Sequence, residues 1–246
     1  MAVTKKVPEM LILPHSFCAG CGHGIVNRLM AEVLEEVQYE RKTVITLGVG
    51  CCCNMNDRYE CDFIQTAHGR AAATATGVKV AKPELLSISY QGDGDAYVIG
   101  IAETLNAAYR NTPITVFVVN NNNFAMTGGQ MSWETMPGQI TATSPAGRDP
   151  KLTGYPILVP EIISGFKEVG YVARGSVHNA QEINNLKKYM KNAIEAQING
   201  EGYSMVEILA PCPTNWHMSV EQSIAWMEKE VVPYFKLGEL RERKAK

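Results

Sequence analysis

The stretch Leu85-Leu86-Ser87-Ile88-Ser89-Tyr90-Gln91-Gly92-Asp93-Gly94, followed further along by Ile114-Thr115-Val116-Phe117-Val118-Val119-Asn120-Asn121, decides the fold of this chain. Each part begins as a short apolar run, which is typical of a buried strand. Each run ends in residues that can bind a ligand. Residues 97–110 lie between the two parts and repeat apolar side chains at helical spacing. The pattern therefore predicts one strand-helix-strand unit.

The handedness of this unit brings the two polar ends together. A right-handed crossover makes the strands parallel, so Asp93 and Asn121 emerge at the same carboxyl edge, where open α/β sheets bind ligands. Glycine lets the backbone approach a phosphate, and a carboxylate, an amide oxygen and a main-chain carbonyl suit Mg²⁺. Gly-Asp-Gly alone is a common turn, and an Asn-rich run alone is a common loop. In combination they resemble the thiamine diphosphate motif of thiamine-dependent enzymes.

Strand-like and helical stretches alternate along the rest of the chain. The alternation predicts a single α/β domain over residues 1–246, with a mainly parallel sheet and helices on both faces. Strands are expected at 43–49, 85–91, 114–119, 171–177 and 204–210, and helices at 24–37, 69–82, 97–110 and 180–199.

Two segments have unusual compositions. The helix at 69–82 is rich in small residues, which predicts close contact with a backbone of its own sheet or of a partner subunit. Residues 124–160 are rich in Gly, Pro, Thr and Ser but also contain large apolar side chains. They predict a long ordered loop that covers a cofactor and contacts another chain.

Composition excludes several classes of function. The chain has 246 residues, 46% of them hydrophobic, and a net charge of −2. This length supports a sizeable core, and the charge gives no general attraction to nucleic acid or to membranes. The basic run at 241–246 is expected to be a solvated end. Residues 1–8 lack the apolar core of a signal peptide, and no run is long enough to cross a bilayer, which favours the cytoplasm.

The seven cysteines favour metal or catalytic use over disulfides in such a compartment. Cys18 and Cys21 form a CxxC pair on a glycine-rich turn at about residues 15–24. Cys51 follows the first strand and Cys212 follows the last, so both should project from the same edge as Asp93. Four thiolates suit either Zn²⁺ or a [4Fe–4S] cluster. Oxidative thiamine chemistry next to them needs a one-electron acceptor and favours the cluster.

The remaining cysteines are expected to be structural. Gly50 precedes Cys51 at the turn, which makes Cys51 the preferred ligand of its triplet. Cys52 and Cys53 are expected to pack as small hydrophobic residues. Cys61 has no partner at a ligand spacing.

Five motifs taken together resemble the β subunit of 2-oxoacid:ferredoxin oxidoreductases, over residues 17–238. The motifs are Phe17-Cys18-Ala19-Gly20-Cys21-Gly22-His23-Gly24, Ala67-His68-Gly69-Arg70-Ala71, Gln91-Gly92-Asp93-Gly94-Asp95, Met126-Thr127-Gly128-Gly129-Gln130 and Pro211-Cys212-Pro213-Thr214-Asn215-Trp216. Ala19 stands where the family usually has proline. Cys52 and Cys53 replace small polar residues, which leaves the ligand of the triplet less firmly assigned.

The resemblance implies roles for individual residues. Cys18, Cys21, Cys51 and Cys212 would ligate one [4Fe–4S] cluster. Mg²⁺ would be held by Asp93, the Asn121 side chain and the Asn123 carbonyl. The expected contacts of the thiamine cofactor are Gly50, Cys51, His68, Gly92, Asp93, Gly94, Asp95, Asn121, Asn123, Met126 and Thr127.

Histidines and arginines near these motifs have two interpretations each. His68 is the candidate catalytic residue, because a ring nitrogen could meet the diphosphate or the substrate carboxylate; a structural histidine is the alternative. Arg70 and Arg148 could pair with an anion, and a surface or interface ion pair is favoured for Arg148. His23 is expected to order the cysteine turn rather than to bind metal.

The resemblance also implies an activity and partners. The activity is the oxidative decarboxylation of a 2-oxoacid to acyl-CoA and CO₂, with coenzyme A as acceptor and electrons passed to soluble ferredoxin. Residues 141–150 and 212–216 are most similar to 2-oxoisovalerate enzymes, and 2-oxoglutarate enzymes come next. Partners would be an α subunit with the pyrimidine-binding domain, a γ subunit or fused equivalent, and a ferredoxin-like δ subunit. A non-oxidative thiamine decarboxylase or synthase subunit and a zinc or iron-sulfur scaffold or electron carrier are the alternatives.

Overall fold

The computed structural model describes residues 6–56 and 58–243. The chain folds around one central sheet. For residues 1–5 the prediction about a signal peptide, and for residues 244–246 the prediction of a solvated end, lie outside the described residues. The strands are β1 Thr43–Leu47, β2 Asp62–Gln65, β3 Leu86–Gly92, β4 Thr115–Asn120, β5 Asn123–Phe124, β6 Gln130–Met131, β7 Tyr171–Ser176, β8 Ser204–Leu209 and β9 Gly238–Arg241. Seven of them form a sheet with the order β2-β1-β3-β4-β8-β7-β9, and β5 pairs with β6 in a separate hairpin.

The register of the sheet brings the predicted polar ends to one edge. All neighbours from β2 to β7 are parallel. Gly92 at the end of β3 lies opposite Val119 near the end of β4. Asp93 and Asn121 therefore leave adjacent strands at the same carboxyl edge, and the predicted α/β fold class is confirmed.

Helices cover both faces of the sheet. They are α1 His23–Glu36, α2 Ala71–Ala81, α3 Ile101–Tyr109, α4 Pro150–Thr153, α5 Val159–Ser164, α6 Ala180–Ile198, α7 Pro213–Trp216, α8 Val220–Trp226 and α9 Val232–Tyr234. On one face α1 and α6 pack on the inward side chains of the strands, and on the other face α2, α3 and α5 do so. Because both faces are covered, the five strands β1, β3, β4, β7 and β8 are buried along almost their whole length.

The small residues of α2 serve contact with the chain's own sheet. Ala71, Ala72 and Ala75 are fully buried. The hydroxyls of Thr46 and Ser87, on β1 and β3, donate hydrogen bonds of 2.9 Å to the carbonyls of Ala71 and Ala75. Such a close approach leaves room only for small side chains on this face of the helix.

The helix after β3 differs from the prediction. It begins at Gly94 rather than at residue 97, and Gly94–Ile99 is a wide π-helical turn that precedes α3. At the join, a Cβ on Gly100 would lie 2.4 Å from the Gly69 carbonyl oxygen. Two glycines in contact thus allow the wide turn, which is a common feature of functional sites.

The C-terminal basic run is not a solvated end in its described part. Arg241 belongs to β9, which pairs antiparallel with β7, and its guanidinium donates to the carbonyls of Ser164 and Phe166. Arg243 forms ion pairs with Glu195 and Glu201. The prediction is wrong because charge alone does not reveal strand pairing with a distant segment.

Two short elements had no clear signal in the sequence. Strand β2 is half exposed at the sheet edge and lacks an apolar run. The hairpin of β5 and β6 has only two residues on each side. Within residues 6–56 and 58–243, no helix has the length and apolar character that crossing a membrane requires.

Candidate functional site

A cavity lies at the carboxyl edge, next to the ends of β1, β3 and β4. Its empty volume is about 490 Å³, including solvent at its mouth. It brings together every residue that was predicted to contact the cofactor. The lining residues are His23, Val49, Gly50, Cys51, His68, Gly92, Asp93, Gly94, Asp95, Asn121, Asn123, Phe124, Ala125, Met126 and Thr127. Their contact with a cofactor stays a prediction.

Three oxygen atoms converge in this cavity. The side-chain oxygen of Asn121 lies 2.8 Å from the Asn123 carbonyl oxygen and 3.3 Å from Asp93 Oδ1, and only rotation of its amide would replace these contacts with hydrogen bonds. With the amide rotated, its nitrogen donates to both of these oxygens; with a cation bound, its oxygen would be the ligand. A carboxylate, an amide oxygen and a carbonyl are ligands that Mg²⁺ prefers. The residues present therefore fit the expected metal.

The conformation of Asn122 produces this convergence. Asn122 has a φ of 60°, in the left-handed region that asparagine tolerates better than most residues. Its backbone N–H donates to Asn120 Oδ1 at 3.1 Å, and its side chain donates to the Glu134 carbonyl at 2.7 Å. The turn places the Asn121 side chain and the Asn123 carbonyl on the same side.

Asp93 is the charged member of the oxygen set. It is 1% exposed, and burial raises its pKa to about 7. The hydroxyl of Ser132 donates to Asp93 Oδ2 at 2.6 Å. The backbone N–H groups of Asn121 and Asp93 also donate to this carboxylate. A buried carboxylate favours a bound cation, because the cation replaces the water that burial removes.

This raised pKa predicts the pH dependence of metal binding. Below about pH 7 a proton occupies Asp93 and competes with Mg²⁺, so the affinity should fall about tenfold for each further pH unit. Without cation, the native state between about pH 4 and 7 holds a proton that the unfolded chain has lost, so stability should fall as the pH rises through this window. Titration of Mg²⁺ in the presence of thiamine diphosphate at pH 6 and pH 8 checks the first point, and thermal melts without cation check the second. Equal affinity at both pH values would contradict the first point.

His68 is oriented by a buried carboxylate. Its Nδ1 contacts Asp95 Oδ1, and Asp95 is 2% exposed. Asp95 also accepts hydrogen bonds from the backbone N–H groups of Gly69, at 2.8 Å, and Val49, at 3.1 Å. The ring of His68 packs edge-on against Phe124. Nδ1 faces Asp95 without forming a hydrogen bond of regular geometry, and the ring lines the cavity.

Two glycines shape the cavity wall. A Cβ on Gly94 would lie 2.4 Å from the Phe124 ring, so a side chain there would displace the β5 residue that lines the cavity. Gly50 has a φ of 139°, which other residues rarely adopt, and a Cβ at this position would meet no atom within 4 Å. This open space leaves the backbone of Gly50 accessible to a ligand.

Three of the predicted cluster cysteines, Cys18, Cys21 and Cys212, lie near the fourth, Cys51. Burial, followed by the thiols of Cys21, Cys212 and Cys18, raises the pKa of Cys51 to about 12. Burial also raises the pKa of Cys21 to about 11, with contributions from Cys212 and Cys18. Among the described residues, no three His, Cys, Asp or Glu side chains are arranged to hold a single metal ion. The four thiols are electrostatic neighbours, and their role as ligands of one cluster stays a prediction.

The other three cysteines are packed in the protein. The thiols of Cys52 and Cys53 donate to the Gly48 carbonyl at 3.2 and 3.1 Å, and neither residue lines the cavity. Cys61 packs against the hydrophobic core to which α1 and α6 contribute. All seven cysteines are free thiols.

Arg148 is buried rather than exposed at the surface. It is 4% exposed and donates to the carbonyls of Trp133 and Thr135 and to Thr153. It thereby holds the long loop together, and the expectation of a surface ion pair is wrong. A loop without periodicity gives no signal for such main-chain contacts.

The two remaining predicted side chains lie as expected. Arg70 forms a partly exposed ion pair with Glu103 at 3.0 Å. His23 is 2% exposed, and burial lowers its pKa to about 4. Its Nδ1 lies 2.6 Å from the Tyr90 hydroxyl and its ring stacks on Phe17. His23 therefore orders the cysteine turn as a neutral residue.

Two buried polar residues next to the cavity, Ser132 and Glu134, had no signal in the sequence, and they lie beside Asn120 of the asparagine run. Asn120 Nδ2 donates to Glu134 Oε2 at 3.3 Å and to Glu207 Oε1 at 3.1 Å. Burial, followed by the nearby carboxylates of Glu207 and Asp93, raises the pKa of Glu134 well above its usual value. Only the run of asparagines indicated that Asn120 had a role beyond the strand.

Comparison with known proteins identifies the family. Residues 48–208 match the family "Thiamine pyrophosphate enzyme, C-terminal TPP binding domain". The chain is 38% identical to ketoisovalerate oxidoreductase subunit VorA of Methanothermobacter thermautotrophicus, over 93% of this chain and 48% of that protein. It thus spans about half the length of that relative. It is 37% identical to 2-oxoglutarate synthase subunit KorB of Archaeoglobus fulgidus, over 83% of this chain and 72% of that protein.

A solved structure shares the fold. The 2-oxoglutarate:ferredoxin oxidoreductase from Magnetococcus marinus, solved with 2-oxoglutarate, coenzyme A and succinyl-CoA bound, superposes with a TM-score of 0.77. The match covers 99% of this chain and 87% of that chain at 23% identity. The chain therefore belongs to the β subunits of the 2-oxoacid:ferredoxin oxidoreductase family and contains their thiamine diphosphate-binding domain.

Proposed function

We propose that this chain is the subunit that binds thiamine diphosphate, Mg²⁺ and a [4Fe–4S] cluster in an enzyme that oxidises a 2-oxoacid to acyl-CoA and CO₂. Coenzyme A accepts the acyl group and ferredoxin accepts the electrons. The observation that carries the proposal is the convergence of Asp93, Asn121 and Asn123 oxygens in a cavity that Cys51 also lines. A non-oxidative thiamine enzyme would have no use for the thiols at this cavity.

The oxygen set would hold Mg²⁺ and, through it, the diphosphate. Thiamine diphosphate, when bound, supplies the reactive carbon and the electron sink for decarboxylation. The chain itself binds and orients. Gly50 and Gly92 leave backbone accessible at the cavity wall, and Met126 and Thr127 close it from the hairpin side.

Cys18, Cys21, Cys51 and Cys212 would ligate the cluster. Burial raises the pKa of Cys21, Cys51 and Cys212, and iron would deprotonate these thiols on binding. Asn215 Nδ2 lies 3.5 Å from Cys212 Sγ and also donates to the Ala125 carbonyl of the cavity wall. The cluster site would thus lie directly beside the cofactor, as electron transfer requires.

His68 would act on the substrate. Its Nδ1 lies beside the Asp95 carboxylate, and the ring lines the cavity, so Nε2 would meet the substrate carboxylate or a diphosphate oxygen. A carboxylate on one ring nitrogen determines which nitrogen of a histidine is free for a ligand. This arrangement favours the functional interpretation of His68 over the structural one.

The substrate proposed is 2-oxoisovalerate, with 2-oxoglutarate as the second candidate. The described residues that line the cavity include no lysine or arginine to pair with the second carboxylate of 2-oxoglutarate. Val49, Phe124, Ala125 and Met126 instead offer apolar surface to a branched side chain. Similarity to VorA at 38% identity and to KorB at 37% does not separate the two.

Partner subunits would complete the enzyme. Large apolar side chains are exposed on the 124–160 loop, including Ile140, Leu152 and Tyr155 at 64, 83 and 70% exposure. This surface suits an α subunit that carries the pyrimidine-binding domain. A γ subunit or fused equivalent and a ferredoxin-like δ subunit are proposed from the family, as is a reducing cytoplasm that keeps the thiols free.

Reconstitution of this chain with its partner subunits tests the proposal. The complex should reduce ferredoxin with coenzyme A and 2-oxoisovalerate, and it should do so with a higher kcat/KM than with 2-oxoglutarate or pyruvate. The chain alone should show no turnover, because the cofactor site is only partly built by one subunit. A complex without iron and with coenzyme A-independent decarboxylation would favour the non-oxidative alternative.

A further inference from the structure

The side chain of Ser132 contacts one oxygen of the Asp93 carboxylate. Ser132 Oγ donates to Asp93 Oδ2 at 2.6 Å, and both residues are 1% exposed. The other carboxylate oxygen, Oδ1, lies 3.3 Å from the side-chain oxygen of Asn121. The backbone N–H groups of Asn121 and Asp93 also donate to this carboxylate, and Ser132 is the side chain that fixes its Oδ2.

The direction of the Ser132 hydrogen bond is set by its surroundings. The backbone N–H of Glu134 donates to Ser132 Oγ at 3.2 Å. The hydroxyl therefore accepts from the main chain and has its own proton left for Asp93. The backbone N–H of Ser132 donates to Thr135 Oγ1 at 2.9 Å, which closes a compact turn over residues 132–135.

The 132–135 turn is tied to the asparagine run. Thr135 Oγ1 donates to the Asn122 carbonyl at 2.6 Å, and Asn122 Nδ2 donates to the Glu134 carbonyl at 2.7 Å. On the opposite side, Arg148 donates to the Trp133 carbonyl at 2.8 Å and to the Thr135 carbonyl. The turn and the oxygen set therefore form one buried unit, although the turn belongs to the long loop.

We infer that Ser132 is a positioning residue for the metal site: it turns Asp93 Oδ1 toward the cation. The inference rests on the proposed function, since it assumes that Asp93 binds Mg²⁺. Residues that hydrogen-bond a metal-ligating carboxylate orient it and raise metal affinity. The long loop would thus contribute Ser132 to the metal site, in addition to the residues at its start that line the cavity.

The Ser132→Ala substitution in the reconstituted complex tests the inference, with Mn²⁺ as the probe. Mn²⁺ is titrated in the presence of thiamine diphosphate, and the EPR signal of free Mn²⁺ reports binding. Ser132→Ala should weaken Mn²⁺ binding about tenfold to a hundredfold. A large excess of Mn²⁺ should restore binding of thiamine diphosphate, because only the orientation of one ligand is lost.

Three further variants separate positioning from folding. Ser132→Thr keeps the hydroxyl and should bind Mn²⁺ within a few-fold of the wild type. Ser132→Cys keeps the volume but has only a weak donor, and it should show an intermediate loss. Ser144→Ala removes a hydroxyl from the same loop, where Ser144 pairs with Thr141, and should leave Mn²⁺ affinity unchanged. Iron content and melting temperature show whether each variant is folded.

The outcomes distinguish this inference from the proposed function. Wild-type Mn²⁺ affinity in folded Ser132→Ala or Ser132→Cys would overturn the inference and leave the proposed function intact. An equal loss in Ser144→Ala would also overturn it, because the effect would then belong to the loop as a whole. A wild-type complex that binds neither Mn²⁺ nor thiamine diphosphate would overturn both.

Discussion

The Asp93→Asn variant is expected to lose thiamine diphosphate affinity by more than about a hundredfold. Asparagine keeps the shape of the side chain but removes the one negative charge among the three converging oxygens. Removal of a unit charge next to a cation costs at least about 3 kcal/mol even at an effective dielectric constant of about 20. Titration of thiamine diphosphate and Mg²⁺ into the reconstituted complex measures the loss.

Two further variants allow the loss of thiamine diphosphate affinity in Asp93→Asn to be compared with the loss of a neutral ligand. Asn121→Ala removes a neutral ligand and should lose less affinity, and Asn123→Ala should lose least, because only the Asn123 carbonyl is proposed to bind. Iron content should be unchanged in all three. Without cation, Asp93→Asn should melt no lower than the wild type, since a buried charge with a raised pKa is removed. Wild-type affinity in Asp93→Asn would mean that the Gly-Asp-Gly turn is only a turn.

The second large effect is expected at the four cluster cysteines. We expect the [4Fe–4S] cluster to be lost or destabilised when any one of four cysteines is replaced by serine: Cys18, Cys21, Cys51 or Cys212. The reason is that a hydroxyl is a poor ligand for iron, which prefers thiolate. Iron and sulfide analysis, together with the visible absorption of the complex, measures the loss. Turnover with ferredoxin should disappear with the cluster.

Three cysteines outside the ligand set serve as controls. Cys61→Ser should keep the cluster, as should Cys52→Ser and Cys53→Ser, whose thiols are engaged with the Gly48 carbonyl. Full iron and sulfide content in Cys212→Ser would contradict the assignment. If Cys52→Ser or Cys53→Ser lost iron while Cys51→Ser retained it, the cluster ligand would be assigned to that other cysteine of the triplet.

Much of the fold is predictable because it depends on local periodicity. The apolar runs at β1, β3, β4, β7 and β8 are buried on both faces, and the helices between them have amphipathic spacing. Once the strands are parallel, chain direction alone brings Asp93, Asn121 and Cys51 to one edge. The π-helical turn at Gly94 was not predictable, because it depends on contact between Gly69 and Gly100.

Patterns within short stretches of sequence predict the fold class, the edge at which the site lies and the residue types that surround the cavity. Only the tertiary structure decided that Ser132 holds Asp93, that Arg148 is buried in the long loop and that Arg241 lies in a strand. Each of these contacts joins segments distant in sequence through single hydrogen bonds or strand pairing. Such contacts leave no periodic trace, because their partners are chosen by the packed fold rather than by neighbours along the chain.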